Sequence, residues 1–446
     1  MREIMKILKK LLLLSCIGHV SYSASVDYLM NQSPAYLGNP AQNAIISVDG
    51  SNYNPAGIVH LEDGRYLQIG NQFGFIHEGM KSEGKDYDSD TFEPVIPNIN
   101  FVNKNGSTAT YFSIGVIGGG ATLEYDDGVP GSGKIPGILN QQGAKLIPKL
   151  GFNPFENVYM KDSSFEGSNK YFGATLGRAW ALNEKWALSA AGRVVYATRE
   201  LKGYAKYDGV TEPVEGMIVQ KKDFTIDSER EAWGVGGIFG VNYMPNDRWN
   251  FAARYETKVK LKFEADATDD PAKILNKEIG FLDFYPQYAD GDKRYRDLPA
   301  MLALGASHKL TDRLVIMAGG NYYFVKDADL DGQNGYDNGY ELNVGMEYLI
   351  NEKWSWTLGY NYADTGANEE TYSDVEYALD SHIIGTGIKY RPNPNQEWLL
   401  SVAQISYDTA TASGEEKDFN GTEASFPSVK YEKSFLAFGI SCTMKF

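Results

Sequence analysis

The run DADLDGQNGYDN, Asp327 to Asn338, sets Asp327, Asp329 and Asp331 ahead of Gly332, which is the D-x-D-x-D-G opening of a calcium loop. Its twelfth position is Asn338, where a bidentate glutamate is wanted, and an acidic, turn-rich surface loop would carry the same letters. Four cations, Arg178, Arg193, Arg254 and Lys258, fall in segments that read as strands. A guanidinium fork suits a carboxylate, so these are candidates for holding an anionic head group, with mutual pairing to acids as the other reading. Catalysis finds little to work with. Beyond the leader the histidines are His60, His77, His308 and His382, and no Gly-x-Ser-x-Gly run is present, so the chain reads as a non-enzyme with no cofactor other than calcium.

Two further groups of residues point to hydrophobic ligands. The stretch KIPGILNQQGAKLIPKLGFNPF puts Ile138, Leu139, Leu146, Ile147, Leu150 and Phe152 in one long connection, too many apolar residues for a solvated loop. They either line an outer groove or pack that loop on its support. Asn54, Pro55 and Ala56 close a polar, Asn-rich segment just before the first strand. The Asn-Pro pair has turn chemistry, and Pro55 fixes φ and lacks a donor, which suits a compact plug.

The elements that must position these residues read as strands. LAFGISCTMKF at the C-terminus alternates Leu436, Phe438, Ile440, Cys442, Met444 and Phe446 with small or polar residues. Outer-membrane barrels are similar in ending on such a strand, which their assembly machinery recognises. In RWNFAARYETKVKLKF, Trp249, Phe251, Ala253, Tyr255, Val259, Leu261 and Phe263 alternate with Arg248, Asn250, Arg254, Glu256, Lys258, Lys260 and Lys262, the pattern of lipid outside and water inside. Candidate strands fall at 65–76, 95–103, 107–118, 169–181, 185–199, 231–243, 248–263, 297–309, 312–324, 339–349, 353–362, 381–391, 396–407 and 433–446. The connections between these fourteen alternate between short turns and long loops such as 77–94, 119–168 and 264–296, the layout of a bacterial outer-membrane barrel.

Composition agrees. Mean hydropathy is −0.37, Gly (47) and Tyr (30) are abundant, and the charge of −16 argues against a nucleic-acid partner. Met1 to Ser23 has the basic, apolar and small-residue parts of a secretory signal, cut after Ser23. A lipoprotein cut at Cys16 would leave about four apolar residues after the lysines, short of a full apolar region. Past that leader no run of about eighteen apolar residues exists, so a membrane crossing has to be a closed barrel. The expected organisation is therefore a signal at 1–23, a lumenal hatch at 24–64 and an all-β, antiparallel up-and-down barrel of about fourteen strands at 65–446.

YNPAGIVHL (Tyr53 to Leu61), WGVGGIFGVNYMPNDRWNFAARYETKVKLKFEAD (Trp233 to Asp266) and LPAMLALGASHKLTDRLVIMAGGNYYF (Leu298 to Phe324), in this order, resemble the FadL/TodX family of outer-membrane transporters for long-chain fatty acids and other hydrophobic compounds. Glu256 stands where the family commonly has serine. The resemblance implies an N-terminal hatch with Asn54, Pro55 and Ala56 as its gate, loop capture in an apolar groove, an internal site, and lateral release through an opening in the wall into outer-membrane lipid. It also implies a monomer whose ligand is a long-chain fatty acid or another hydrophobic small molecule. Delivery to lipid keeps about 0.8 kcal/mol per buried CH₂ that a water-filled exit would forfeit. The opening needs a break in the strand ladder, and Pro97, Gly118, Gly119 and Gly120 are the strongest local breakers. The family's inward-kinked third strand adds Gly115 as a candidate. A polar porin or an adhesin of the same membrane is the alternative reading.

Overall fold

The computed structural model describes residues 32–446 except 120–121, 145–146, 154, 210–223, 270–271, 275–276, 280–287, 334, 374–375, 413–414, 418–422 and 426–427. The expected signal at 1–23 and residues 24–31 of the expected hatch lie outside the described residues.

Fourteen wall strands run antiparallel in chain order and close into a barrel. They are β1 (Gly64–Ser82), β2 (Lys85–Asn105), β3 (Thr108–Gly119, extended by Leu123–Tyr125), β4 (Tyr159–Ala181), β5 (Trp186–Asp208), β6 (Phe224–Asn246) and β7 (Trp249–Glu256, then Lys262–Asp269). There follow β8 (Lys293–Tyr295, then Met301–Lys309), β9 (Leu314–Tyr323), β10 (Gly339–Asn351), β11 (Trp354–Asp364), β12 (Ser381–Asn393), β13 (Gln396–Tyr407, extended by Ala410–Ala412) and β14 (Val429–Lys445). β1 pairs with β14 from Tyr66↔Lys445 to Lys81↔Lys430, which removes the sheet edge. Among the described residues no helix is long and apolar enough to cross a membrane.

The short turns owe their tightness to a side chain that stands in for backbone. Asn183, Asn246 and Asn351 each accept from the N–H two and three residues on, at 2.9–3.1 Å, and Thr311 does the same at 3.0–3.2 Å. Trp186, Trp249 and Trp354 begin the strands that leave three of these turns, stacked on Tyr243, His308 and Tyr390 with ring centroids 4.1–4.4 Å apart. With Trp180 and Trp398 they form the lower aromatic girdle. Phe75 against Phe92 and Tyr340 against Tyr362 stand higher on the wall, toward the long loops.

Between these belts the wall is inside out relative to a soluble protein. Leu176, Val235, Leu304, Leu342, Ile384 and Leu400 are more than half exposed, whereas Gln68, Asn100, Arg254, Asn321, Asn343 and Asn361 are buried inward. Above the upper belt the polarity reverses. On the β1–β2 hairpin Met80 and Tyr87 are buried while Asp86, Asp88 and Asp90 are exposed, and Phe165, Leu201, Ile226 and Tyr431 likewise turn inward. Water surrounds this upper wall and the long loops roof it, so the apolar face is the inner one.

The wall is also uneven in height. β4, β5 and β6 have 23 residues each, β9 has 10 and β11 has 11. At about 3.3 Å per residue the tall strands run roughly twice the length of the short ones.

One expectation about β7 is corrected here. Trp249, Phe251 and Tyr255 face outward and Asn250, Arg254 and Glu256 inward as expected, but Val259, Leu261 and Phe263 are buried and Lys260 and Lys262 exposed. The ladder to β6 passes from Ile238↔Glu256 to Glu231↔Glu264, eight residues on β7 against seven on β6. That extra residue swaps the two faces, at the level where the surroundings change from lipid to water.

The hatch fills the lower lumen. It contains α1 (Pro34–Gly38), α2 (Gly50–Tyr53) and a 3₁₀ turn (Gly57–His60), all but His60 buried. Wall glycines let it press against the strands: a Cβ built on Gly385 would sit 1.9 Å from the Leu37 carbonyl, and one on Gly345 the same distance from Asn39 Oδ1. A Gly385→Val variant is therefore expected to assemble its barrel, read by heat-modifiable gel migration, but to seat the hatch about 1–3 kcal/mol less firmly. Faster proteolysis within residues 32–63 is the measurement; unchanged cleavage would show that the close approach does not hold the hatch.

Candidate functional site

Polar side chains of the lower lumen bind the hatch to the wall. Asn54 Nδ2 donates to Asn242 Oδ1 on β6 at 2.8 Å, and its Oδ1 accepts from Gly57 N at 3.1 Å. Pro55 lies against Gly240, and Ala56 is fully buried. Further along, Asn43 Nδ2 donates to Asn321 Oδ1 at 2.9 Å, Asn250 Nδ2 to the Ala44 carbonyl at 2.8 Å, and Ser401 Oγ to the Pro34 carbonyl at 2.8 Å. Gln68 Nε2 donates to Asp49 Oδ2 at 2.7 Å. Each such bond contributes about 0.5–1.5 kcal/mol net, so the hatch is held by many modest ties that can be exchanged for water.

Of the four expected head-group cations, the structure brings Arg193 and Arg254 together and leaves Lys258 and Arg178 apart. Arg193 on β5 pairs with Glu256 and donates Nε to Thr175 Oγ1 at 3.0 Å, while Arg254 Nε lies 3.1 Å from Glu256 and its Nη1 donates to the Asn52 carbonyl of the hatch. Two arginines thus share one buried carboxylate beside α2 of the hatch. Lys258 lies at the interruption of β7, 3.5 Å from Asp297 and donating to the Asp327 carbonyl at 2.6 Å. Arg178 is a correction: it shares the outward face of β4 with the exposed Leu176 and Trp180, because strand alternation puts it on that side.

A second arginine layer, not anticipated from sequence, sits above the hatch. Arg199 on β5, Arg230 on β6 and Arg296 ahead of the main part of β8 are almost wholly buried. Arg199 Nη2 donates to Glu376 Oε2 at 2.9 Å and Arg296 binds the same carboxylate, while Arg230 and Arg296 both reach Asp331. Arg230 also lies over the Phe263 and Tyr288 rings at 5.3 and 5.5 Å. Asp331 and Glu376 belong to two different long loops, so this layer ties both to the wall.

Burial by itself would push the Asp331 and Glu376 carboxyls up; the guanidinium groups of Arg296 and Arg199 override it, with Arg230 adding to the effect on Asp331, and hold both below the usual carboxylate range. Asp331 faces arginines, Asp329 Oδ1 accepts from Gly332 N at 3.0 Å, and among the described residues no three His, Cys, Asp or Glu side chains converge as a metal set.

The long loop between β3 and β4 forms a helix over Pro130–Ala144 and a short one over Ile147–Leu150. Leu139 is buried with Met80, Tyr87, Tyr125 and Tyr207, so it packs inside the upper wall, whereas Ile147 is exposed and Phe152 half-buried. Leu146 and the side chains of Ile138 and Leu150 lie outside the described residues.

Of the candidate lateral breakers, Pro97 and Gly115 coincide with a real discontinuity. The β2–β3 ladder runs from Asn105↔Thr108 to Asn98↔Gly115 and stops there, although both strands continue upward. Gly118 and Gly119 mark a register shift of β3 against β4, and Gly119 has φ +108°, a region that favours glycine. Gly120 lies outside the described residues. Behind the seam a small cavity is lined by Gln32 and Asn52 of the hatch and by Ser113, Gly115 and Thr175 of the wall.

A closed fourteen-stranded barrel, plugged from its N-terminus and apolar within its loop-covered upper half, defines a class of outer-membrane transport proteins. The chain belongs to the family described as outer membrane protein transport protein (OMPP1/FadL/TodX), whose profile matches residues 156–446. It is located in the outer membrane. The crystal structure of a Pseudomonas aeruginosa FadL homologue superposes with a TM-score of 0.67 at 14% identity, over 96% of this chain and 100% of that one. The P. putida toluene transporter TodX gives 0.61 at 15% over 96% and 99%, and the Ralstonia pickettii toluene transporter TbuX 0.57 at 16% over 93% and 98%. These likenesses show the shared fold. In sequence, outer membrane protein P1 of Haemophilus influenzae is 26% identical over 191 residues, 40% of this chain and 39% of that protein, so the match spans about two fifths of the relative's length.

The arginine layer sets a pH expectation. A carboxylate held below its unfolded value contributes stability that is full above about pH 4 and is lost only as pH falls through the lowered folded value. Protease resistance of the loops at 325–338 and 363–380 is expected to persist from pH 7 to about 4 and to fall only in stronger acid. Arg296→Met, which leaves Glu376 and Asp331 each short of a partner, should cost about 3–5 kcal/mol and move the loss to higher pH. An identical acid profile in the variant would remove the layer's role in holding the loops.

Proposed function

We propose that the protein moves hydrophobic small molecules, long-chain fatty acids among them, across the outer membrane by loop capture, passage through the upper interior, hatch rearrangement and sideways release. The reversal of polarity along the barrel axis carries this reading. An apolar inner face begins where lipid ends, and it stands directly over a hatch whose Tyr36 and Tyr53 rings lie with centroids 6.1 Å apart. An amphiphile entering from above meets apolar side chains rather than a water column, with cationic groups at Arg199, Arg230 and Arg296 suited to an anionic head. The route onward is through the gate at Asn54, Pro55 and Ala56 and out at the Pro97–Gly115 discontinuity, where the acyl chain returns to hydrocarbon. The likeness to the toluene transporters TodX and TbuX supports a hydrophobic cargo.

A polar porin would instead need a continuous aqueous lumen, which the hatch occupies. Reconstituted protein is expected to show low ion conductance and to accelerate uptake of a long-chain fatty acid into vesicles. Asn54→Leu, which removes the bond to Asn242, should change that rate several-fold while the barrel still assembles. A large open-channel conductance in the wild type, or uptake indifferent to Asn54→Leu and Pro55→Ala together, would refute the reading. Mass spectrometry of lipid co-purifying with the native barrel would identify the cargo class.

A further inference from the structure

The β2–β3 seam is more than a missing ladder. Above Asn98↔Gly115 the two strands run side by side, but among the described residues the hydrogen bonds that bridge them come from side chains. Glu93 Oε1 accepts from Thr122 N at 3.2 Å, Ser89 Oγ accepts from Glu124 N at 3.0 Å, and Lys85 Nζ donates to the Asp127 carbonyl at 2.9 Å. Glu93 and Ser89 are each only 1% exposed, so the first two bridges are shielded from water. Glu93 Oε2 is buried with no hydrogen-bond partner. A carboxylate in that position is costly unless its one good bond matters, and the bond it makes goes to a backbone N–H that would otherwise be orphaned beside lipid.

The chain arrives at this arrangement through the bulge around Pro94. β1 pairs Gln72↔Ile96 and then Gly74↔Glu93, three residues on β2 against two on β1. The extra residue shifts the facing of β2, so that Ser89 and Glu93 are buried on the side from which they reach the Thr122 and Glu124 amides. Pro97, at the end of the ladder, has no N–H to continue it.

We propose that Glu93 and Ser89 form a side-chain latch that closes the upper β2–β3 seam, and that opening this latch sets the rate of sideways release. The proposal rests on the transport reading above and adds the residues that control its exit. A backbone ladder opens only by breaking several cooperative bonds, whereas two side-chain bonds can be released by rotation about χ and remade without loss of register. The cavity behind Gly115, with Asn52 and Gln32 of the hatch on its inner side, lies at the lower end of the same seam, so the hatch reaches the point from which the latched stretch rises.

The test uses the full-length barrel, with heat-modifiable migration as the check on assembly. Variants are Glu93→Gln, which keeps an acceptor for the Thr122 N–H, and Ser89→Ala with Glu93→Ala, which removes both acceptors. Hydrogen exchange of the Thr122 and Glu124 amides is read by mass spectrometry, and transport by the initial uptake rate of a long-chain fatty acid carrying a terminal fluorophore. The double variant is expected to raise exchange at those amides about tenfold, the effect of losing one such bond, and to speed uptake, while exchange along Phe101–Asn105 stays unchanged. Glu93→Gln should resemble the wild type in both. Unchanged exchange in the double variant overturns the latch, and raised exchange with unchanged uptake overturns its control of release. A wild-type protein that takes up no fatty acid yet shows the exchange response would sink the transport reading while leaving the latch in place.

Discussion

A peptide group in hydrocarbon has no water to bond with, and this one constraint shapes the molecule. Each wall strand needs a partner on both sides, which the closure of β1 on β14 supplies without an edge. Once the wall is closed, its two faces have fixed surroundings, lipid outside and hatch inside. Side-chain alternation follows from that. The places where pairing lapses, β2–β3 above Asn98 and β6–β7 around Lys258, then become the distinctive features, because something else must satisfy or shield the backbone there.

The same period of two serves opposite purposes at two heights. Within the membrane the apolar set faces out, as with Phe251 and Tyr255; above it the apolar set faces in, as with Leu261 and Phe263. One inserted residue in β7 converts one arrangement to the other without altering the appearance of the sequence. The upper half is thereby an ordinary protein interior, held by packing and by the arginine layer. The lower half is a polar socket for the hatch. Transport across such a molecule is passage between two interiors of different character.

Strand number, the turn positions and the plugged architecture were legible in the sequence, because each short turn carries an Asn, Pro or Thr signal and each membrane stretch alternates. The strands' upper ends were not. Residues 77–94 were expected as a loop, yet Lys85 onward is strand, so Ser89 and Glu93 went unconsidered. Arg199, Arg230 and Arg296 stand at the ends of the expected strands or just beyond them, where alternation read against a membrane-thick wall loses its meaning. Arg178 was misplaced for a related reason: a charged residue beside the lower girdle can face outward when it lies at the water boundary. Buried charge pairs such as Arg193 with Glu256 join strands far apart in the chain, and period alone carries no information about partners.

The uneven height of the wall gives the barrel an azimuth. β1, β2 and β4 to β6 rise well beyond the membrane, and β9 to β13 barely clear it, so the mouth tilts toward the low side and is roofed there by the loops that carry Asp331 and Glu376. Neighbouring molecules in the membrane plane therefore meet different faces of the protein depending on direction of approach. The β2–β3 seam stands in the high half, and exposed Asp86, Asp88 and Asp90 line its upper stretch, so its outer surface is acidic on the side away from the low rim of the mouth.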